Sequence, residues 1–348
     1  MSAAVDLISW VLGGEAPVDA DIARDVLDDA LVREVDPLRY CASSLGIDER
    51  LVMQRAAGWA GMPFHETIPR GVERTIDVHH LDRLAEMRTF GTLLLGVPVV
   101  FAAPDFDRVL RLREQRRLNP DLRDKLCLVP EIALREFTAR AAAEALTVEA
   151  RQRLARRWPY ASAHLELTLA ARLAFIVGLF LLVGLVLVAP YIFQPLLLPL
   201  VMVLLIGPSL IRLAALGTAP RPVSAPSRPD DAELPVYSIL VPLRDEAAMV
   251  PQLFTALRAL DYPPERLDIK FVVEERSSET VSAVASRLGD PRFSLVRVPD
   301  AEPRTKPKAL DFALPLCRGE LVVVYDAEDV PEPEQLWKAA VRFRDNAD

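Results

Sequence analysis

The sequence predicts an α/β protein, with a parallel β-sheet and flanking helices in residues 236–348, an apolar helical hairpin before it, and a small amino-terminal α/β domain. Three observations predict this. After residue 236 strand-like and helix-like segments alternate four times, as a parallel sheet with right-handed crossovers requires. From Leu173 to Ile211 the chain carries no charge. Upstream of that run, helix-spaced apolar residues are interleaved with short β-branched stretches.

The amino-terminal domain is expected over residues 1–166. "DADIARDVLDDALVRE" (19–34) and "IDERLVMQRAAGWAG" (47–61) have helical apolar spacing. "FGTLLLGVPVVFAAP" (90–104) predicts two short strands around Gly96, "DFDRVLRLREQRR" a helix, "KLCLVP" a strand, and "EIALREFTARAAAEAL" one long helix. No motif in this domain carries obvious chemistry. His79 and His80 are expected at the surface or as caps, and His164 with Glu166 near a membrane interface, since nothing nearby completes a metal site.

The uncharged run belongs to residues 167–216. A composition of 51% hydrophobic residues and a mean hydropathy of +0.19 are high for a soluble chain, and this run concentrates the excess. A bilayer core needs about 20 apolar residues per helix, so the run, broken at "APYIFQP", predicts two transmembrane helices; the alternative is a buried helical hairpin of a large soluble protein. Arg151, Arg153, Arg156, Arg157 and Arg172 precede it, and Arg212, Arg221 and Arg228 follow. Basic flanks are retained on the cytoplasmic side, so a multi-pass protein of a bacterial-type inner membrane is expected, with both soluble parts in the cytoplasm. Cys41, Cys127 and Cys317 stand far apart, which disfavours a disulfide framework or a zinc site. A net charge of −8 argues against nucleic acid as a partner.

"GTAPRPVSAPSRPDDAELP" (217–235) is proline-rich and predicts a linker. Beyond it the strands "YSILVPL", "LDIKFVVEE", "FSLVRVP" and "ELVVVYDAED" each precede a helical segment, the last being "PEPEQLWKAAVRFRD" with Pro331 at its start. Parallel sheets bind ligands beyond the carboxyl ends of their strands. There the sequence places Arg244, Asp245 and Glu246, then Glu274 and Glu275, then Asp300, then Asp326, Glu328 and Asp329. An acidic edge suits a hard divalent cation, and a diphosphate could sit on that cation beside Arg304, Lys306 and Lys308. The plainer alternative for Asp326, Glu328 and Asp329 is a solvated strand end leading to a helix whose first turn favours acids.

"YSILVPLRDE", "FVVEERSSET", "TKPKALDFAL" and "VVVYDAEDVPEPEQL", in this order, resemble the first half of a family-2 glycosyltransferase with the GT-A fold, of the membrane polysaccharide synthases related to cellulose synthase. The resemblance implies an inverting transfer of a sugar from a nucleotide diphosphate donor, UDP-linked by preference, to a polysaccharide or lipid-linked acceptor. It implies that Pro242 and Glu246 lie in the first nucleotide loop, that Glu274 reads the base, and that Lys306 and Lys308 lie near the diphosphate. Asp326 and Glu328 would be the acids of the D-x-D motif, Asp326 facing the nucleotide as well, with Mg²⁺ or Mn²⁺ as the metal. The chain departs from the family in having Arg276 and Ser277 where many relatives have a second acidic pair, and Glu328 where Asp is usual. The family's catalytic base lies in a T-E-D-type motif further downstream than Asp348, so no catalytic base is expected within the residues given. The donor-binding half of an enzyme and a non-catalytic remnant both stay open.

The amino-terminal segment, through "LGIDERLVMQRAAGWAGMPF", "LLLGVPVVFAAPDFDRVLRL" and "VPEIALREFTARAA", resembles the amino-terminal domain of type II secretion and pilus ATPases. That module binds cyclic di-GMP in some members, although its "RLGxxLxxxG" repeat is not recognisable here. The second functional expectation follows: a membrane-tethered regulatory or scaffold protein that senses a nucleotide or a partner.

Overall fold

The computed structural model describes residues 2–14, 16–69, 81, 84–94, 97–158, 169–192, 194–218 and 226–345. His79, His80, His164, Glu166 and Gly96 lie outside them. The chain divides into one compact unit of residues 1–152 and 227–348 and a second of residues 153–226.

The first unit begins with α1 (Ala3–Gly13), α2 (Ala20–Val32), α3 (Pro37–Ser43) and α4 (Glu49–Ala60). Short polar side chains start them by accepting the unpaired first-turn N–H groups: Ser2, Asp19, Asp36 and Asp48 in turn. β1 (Thr89–Leu94) pairs antiparallel with β2 (Val97–Ala102), α5 (Phe106–Leu118) and α6 (Leu122–Lys125) follow, and β3 (Leu126–Leu128) returns parallel to β2. α1, α4 and α5 bury Leu7, Ile8, Val52, Ala56 and Val109 in one apolar cluster.

The long helix expected over "EIALREFTARAAAEAL" is two helices, α7 (Glu131–Ala141) and α8 (Ala143–Arg157), broken at Ala142 (φ −92°, ψ 0°). No helix breaker stands there. Ala142 is fully buried, so tertiary packing, not propensity, bends the chain.

The second unit holds α9 (Leu169–Ile192) and α10 (Gln194–Gly217), separated near the "APYIFQP" break. Their described apolar side chains are largely exposed, Phe175 by 70% and Leu181 by 69% among them. Among the described residues no helix is long and apolar enough to cross a membrane.

Residues 227–348 hold the expected alternation. β4 (Tyr237–Leu243), α11 (Val250–Arg258), β5 (Leu267–Glu274), α12 (Ser278–Ala285), β6 (Phe293–Val298), α13 (Lys306–Ala313), β7 (Leu321–Val324) and α14 (Gln335–Asp345) follow in turn. The sheet order is β6-β5-β4-β7 and every pair is parallel. One difference concerns α14: it starts at Gln335, and Pro331 precedes it by a non-helical stretch. Pro333 explains this, because a proline disfavours helical geometry in the residue before it, and its carbonyl is taken by the Asp261 N–H at 2.9 Å. The expected linker also ends early, since Leu234 is buried in the sheet's core.

Each face of the sheet has its own cover. Ile239, Val241, Ile269, Phe271, Val273 and Phe293 meet α11 and α14, with Phe254 stacked on Phe271 at a centroid distance of 4.7 Å. Leu240, Val272, Val296 and Val298 face the other way and share a core with Phe312 of α13 and with Ala142, Ala145 and Leu146. The amino-terminal part therefore covers part of one face of the carboxy-terminal sheet.

Candidate functional site

The strands deliver their polar ends to one edge, and Pro242 opens that edge. The Tyr325 N–H bonds the Leu240 carbonyl at 3.1 Å, so the next donor on this side of β4 would belong to residue 242. Proline has none, and the β4–β7 pairing ends at Leu240 and Val324. Tyr325 is the last buried position before the chain leaves the sheet and Asp326 stands in the opening, 53% exposed.

After β4, Asp245 takes a left-handed conformation (φ 56°), which short polar side chains tolerate, and its carboxylate accepts the Ser277 hydroxyl at 2.8 Å. The Glu246 N–H donates to the Thr280 hydroxyl at 3.1 Å, and the Glu246 carboxylate accepts the Arg244 N–H at 3.2 Å. The first loop is thereby tied to α12. Glu275 is paired through its backbone N–H to Val298.

Glu274 ends β5 on the face shared with α13. It is almost wholly buried; its Oε1 lies 3.4 Å from the Lys308 ammonium, which also donates to the Ala301 carbonyl at 2.6 Å. Its Oε2 is buried without a partner among the described residues. Such an oxygen needs a donor, since an unmade buried hydrogen bond costs about 1–3 kcal/mol. Lys308 is thus an internal counterion of Glu274, while Lys306, exposed at the start of α13, pairs with Asp326.

Arg304 caps the same edge. It donates to Asp300 at 2.7 Å and pairs with Glu302, and the Arg244 guanidinium reaches the Arg304 carbonyl at 3.4 Å. The Arg304 hydrogen bond holds the Asp300 carboxyl below the usual carboxylate range.

The expected site residues Pro242, Glu246, Glu274, Lys306, Lys308, Asp326 and Glu328 therefore stand at one sheet edge, and two pairs, Lys306–Asp326 and Lys308–Glu274, are in contact. Asp329 differs from its neighbours, because its carboxylate accepts the Asp326 N–H at 2.7 Å and closes the turn. Glu328 is exposed and makes no hydrogen bond or ion pair among the described residues. No group of three metal-ligating side chains occurs among the described residues. Two carboxylates still suit Mg²⁺ or Mn²⁺, because Mg²⁺ usually takes one or two protein carboxylates and completes its shell with phosphates and water. Lys306 would have to yield Asp326 to the metal.

Spacing did not single out the charges deeper in the sheet. Asp268 and Lys270, i and i+2 on the same face of β5, are buried and bonded at 2.7 Å, and the Ser238 hydroxyl donates to Asp268 at 2.8 Å. Burial would push the Asp268 carboxyl up, but the charges of Lys270 and Arg135 outweigh it and hold it below the carboxylate range. Arg135, 3.5 Å from Asp268, comes from α7. The available signal was the D-x-K alternation inside an otherwise apolar strand.

Residues 235–348 match the family model described as glycosyltransferase like family 2. A probable glycosyltransferase, YdaM of Bacillus subtilis, is 29% identical over 104 residues, 29% of this chain and 24% of that protein. The beta-monoglucosyldiacylglycerol synthase of Trichormus variabilis is 29% identical over 97 residues, 27% of this chain and 20% of that one. The chain thus spans about a quarter or less of the length of these relatives. Among solved structures, the mannosyltransferase PcManGT from Pyrobaculum calidifontis, in complex with GDP-Man and Mn²⁺, is 30% identical over 37% of this chain and 36% of that one, with a TM-score of 0.31.

Proposed function

We propose that this chain, a family-2 glycosyltransferase over residues 235–348, binds a nucleotide diphosphate sugar at the carboxyl edge of its β6-β5-β4-β7 sheet, as part of a membrane-anchored inverting transferase. The observation that carries the reading is the convergence on one edge of Glu246, the Glu274–Lys308 pair and the Lys306–Asp326 pair, next to the opening made by Pro242.

Each residue has a part in this reading. The Glu274 Oε2, without a partner among the described residues, accepts an N–H from the nucleobase, and the contact with Lys308 fixes the position of the carboxylate. Glu246 and the backbone after Pro242 hold the ribose side. Asp326 and Glu328 would hold Mg²⁺ or Mn²⁺, which would supply positive charge beside the leaving diphosphate. Lys306, displaced from Asp326, is placed to meet a phosphate oxygen. The acceptor, a polysaccharide or a lipid-linked glycan, and the base that deprotonates it lie outside the residues assigned here.

The exposed apolar flanks of α9 and α10 support a bilayer hairpin of a bacterial-type inner membrane, with the sheet on the cytoplasmic side. The test is donor binding by calorimetry, with UDP and GDP compared, in Mn²⁺ and in EDTA. Metal-dependent binding that Glu274→Gln weakens supports the assignment. Binding that is indifferent to metal and to Glu274 removes it.

A further inference from the structure

We propose that a groove between β2 and α5 is a binding site for a small organic phosphate of about mononucleotide size. Its volume is ≈ 360 Å³, and its lining includes Arg88, Arg108, Arg111 and Gln115 with Leu112 and Leu126 as apolar wall. No carboxylate lines it among the described residues. Small-molecule pockets run from about 300 to 1,000 Å³, so the groove matches a compact ligand. Three guanidiniums supply planar pairs of N–H donors, which fit phosphate oxygens better than a point charge does. Inorganic phosphate alone would leave the leucine wall uncovered, so the ligand carries a planar or apolar body behind its anionic head.

Acids engage two of the three arginines, Arg108 loosely and Arg88 closely. Arg108 lies 3.5 Å from the half-exposed Asp105, and Arg111 makes no hydrogen bond or ion pair among the described residues. Arg88 is held by Glu131 at 2.8 Å. That last contact connects the groove to the sheet. Glu131 also holds Arg39 at 2.7 Å and pairs with Arg135, and Arg135 is shared with Asp268 at the start of β5. A phosphate that draws Arg88 away leaves Glu131 short of one cation, and Arg135 shifts toward Glu131 and off Asp268. Occupancy of the groove is thereby felt at the strand that ends in Glu274.

The site shares no residue with the strand-end site, so the two readings can fail separately. Calorimetry on the full chain in detergent, with EDTA present, uses AMP, GMP and inorganic phosphate as probes. The expected result is one-site binding of a nucleotide, inorganic phosphate at least about tenfold weaker, and a loss of about tenfold or more in Arg108→Ala/Arg111→Ala. Both arginines lie at the surface, and an unfolding midpoint equal to wild type confirms that the variant is folded. Asp326→Ala should leave this binding intact. Absence of nucleotide binding overturns the proposal, as does binding that survives the arginine variant and disappears in Asp326→Ala. Amide exchange should quicken at Leu267–Lys270 when the nucleotide binds; unchanged exchange there overturns the relay through Arg135.

Discussion

Single side chains decide how the buried charges behave, and three substitutions separate their roles. Lys308 is the counterion of a buried carboxylate, so Lys308→Met strands Glu274 in the core; breaking a buried pair from one side costs about 3–5 kcal/mol. Urea unfolding of Lys308→Met should show a loss of that order, and a loss below about 1 kcal/mol would mean that Glu274 finds water instead. Glu49 stands the other way round. Burial first, and the nearby Glu131 charge second, raise its carboxyl above the ordinary value. A raised folded value costs stability once the pH passes the unfolded value near 4.3, so the penalty grows from there up to the raised value. Glu49→Gln keeps the acceptor for the Ile132 N–H and removes the charge. Its melting temperature should exceed wild type at pH 7 and approach it at pH 4. Asp268, held low by Lys270 and Arg135, contributes stability that is present above the unfolded value near 3.9 and fades as the pH falls toward its lower folded value. The destabilisation caused by Asp268→Asn should therefore be constant from pH 7 to about pH 5 and shrink below pH 4.

At the scale of elements, the strands and helices of residues 236–348 were legible because apolar runs of strand length alternate with amphipathic helices. The strand ends were legible too, since the change from "VVVY" to "DAED" marks where β7 leaves the sheet, although Val322 and Val324 are exposed, so that stretch is not covered on both faces. Three boundaries were not. Nothing local marks the break at Ala142, which the buried contact against the sheet creates, and α14 begins later than Pro331 suggests because Pro333 holds the preceding residues out of the helix. Leu234 reads as linker but fills the sheet's core. Pro242, unusual in a central strand, acquires its meaning only from the register, which puts its missing N–H on the β7 side. Pro242→Val restores that donor. Amide exchange should then show new protection at residue 242, and donor affinity should fall several-fold as β4 and β7 close over the Asp326 opening; unchanged affinity would separate the opening from binding.

For the whole molecule, the sequence showed which residues meet at the carboxyl edge of the sheet but not what covers the sheet. The charges that join Arg135 to Asp268, and Arg33 to Asp231 and Glu265, lie far apart in the chain and carry no periodic signature. Their consequence is that the amino-terminal part is built onto the sheet it precedes, sharing Leu146 and Ala145 with Val272 and Val296. The exposed apolar surface of α9 and α10 predicts that the full chain sediments with membranes, resists extraction by alkaline carbonate and is released by detergent; release by carbonate alone would remove the hairpin from the bilayer. The proposed function stands or falls with Asp326 and its part in holding a metal-bound diphosphate at the open end of β7. The most direct measurement is calorimetric titration of UDP into the full chain in Mn²⁺, repeated in EDTA and with Asp326→Ala. Binding in Mn²⁺ should fall at least about tenfold both in EDTA and in the variant. Equal affinity in all three would contradict it.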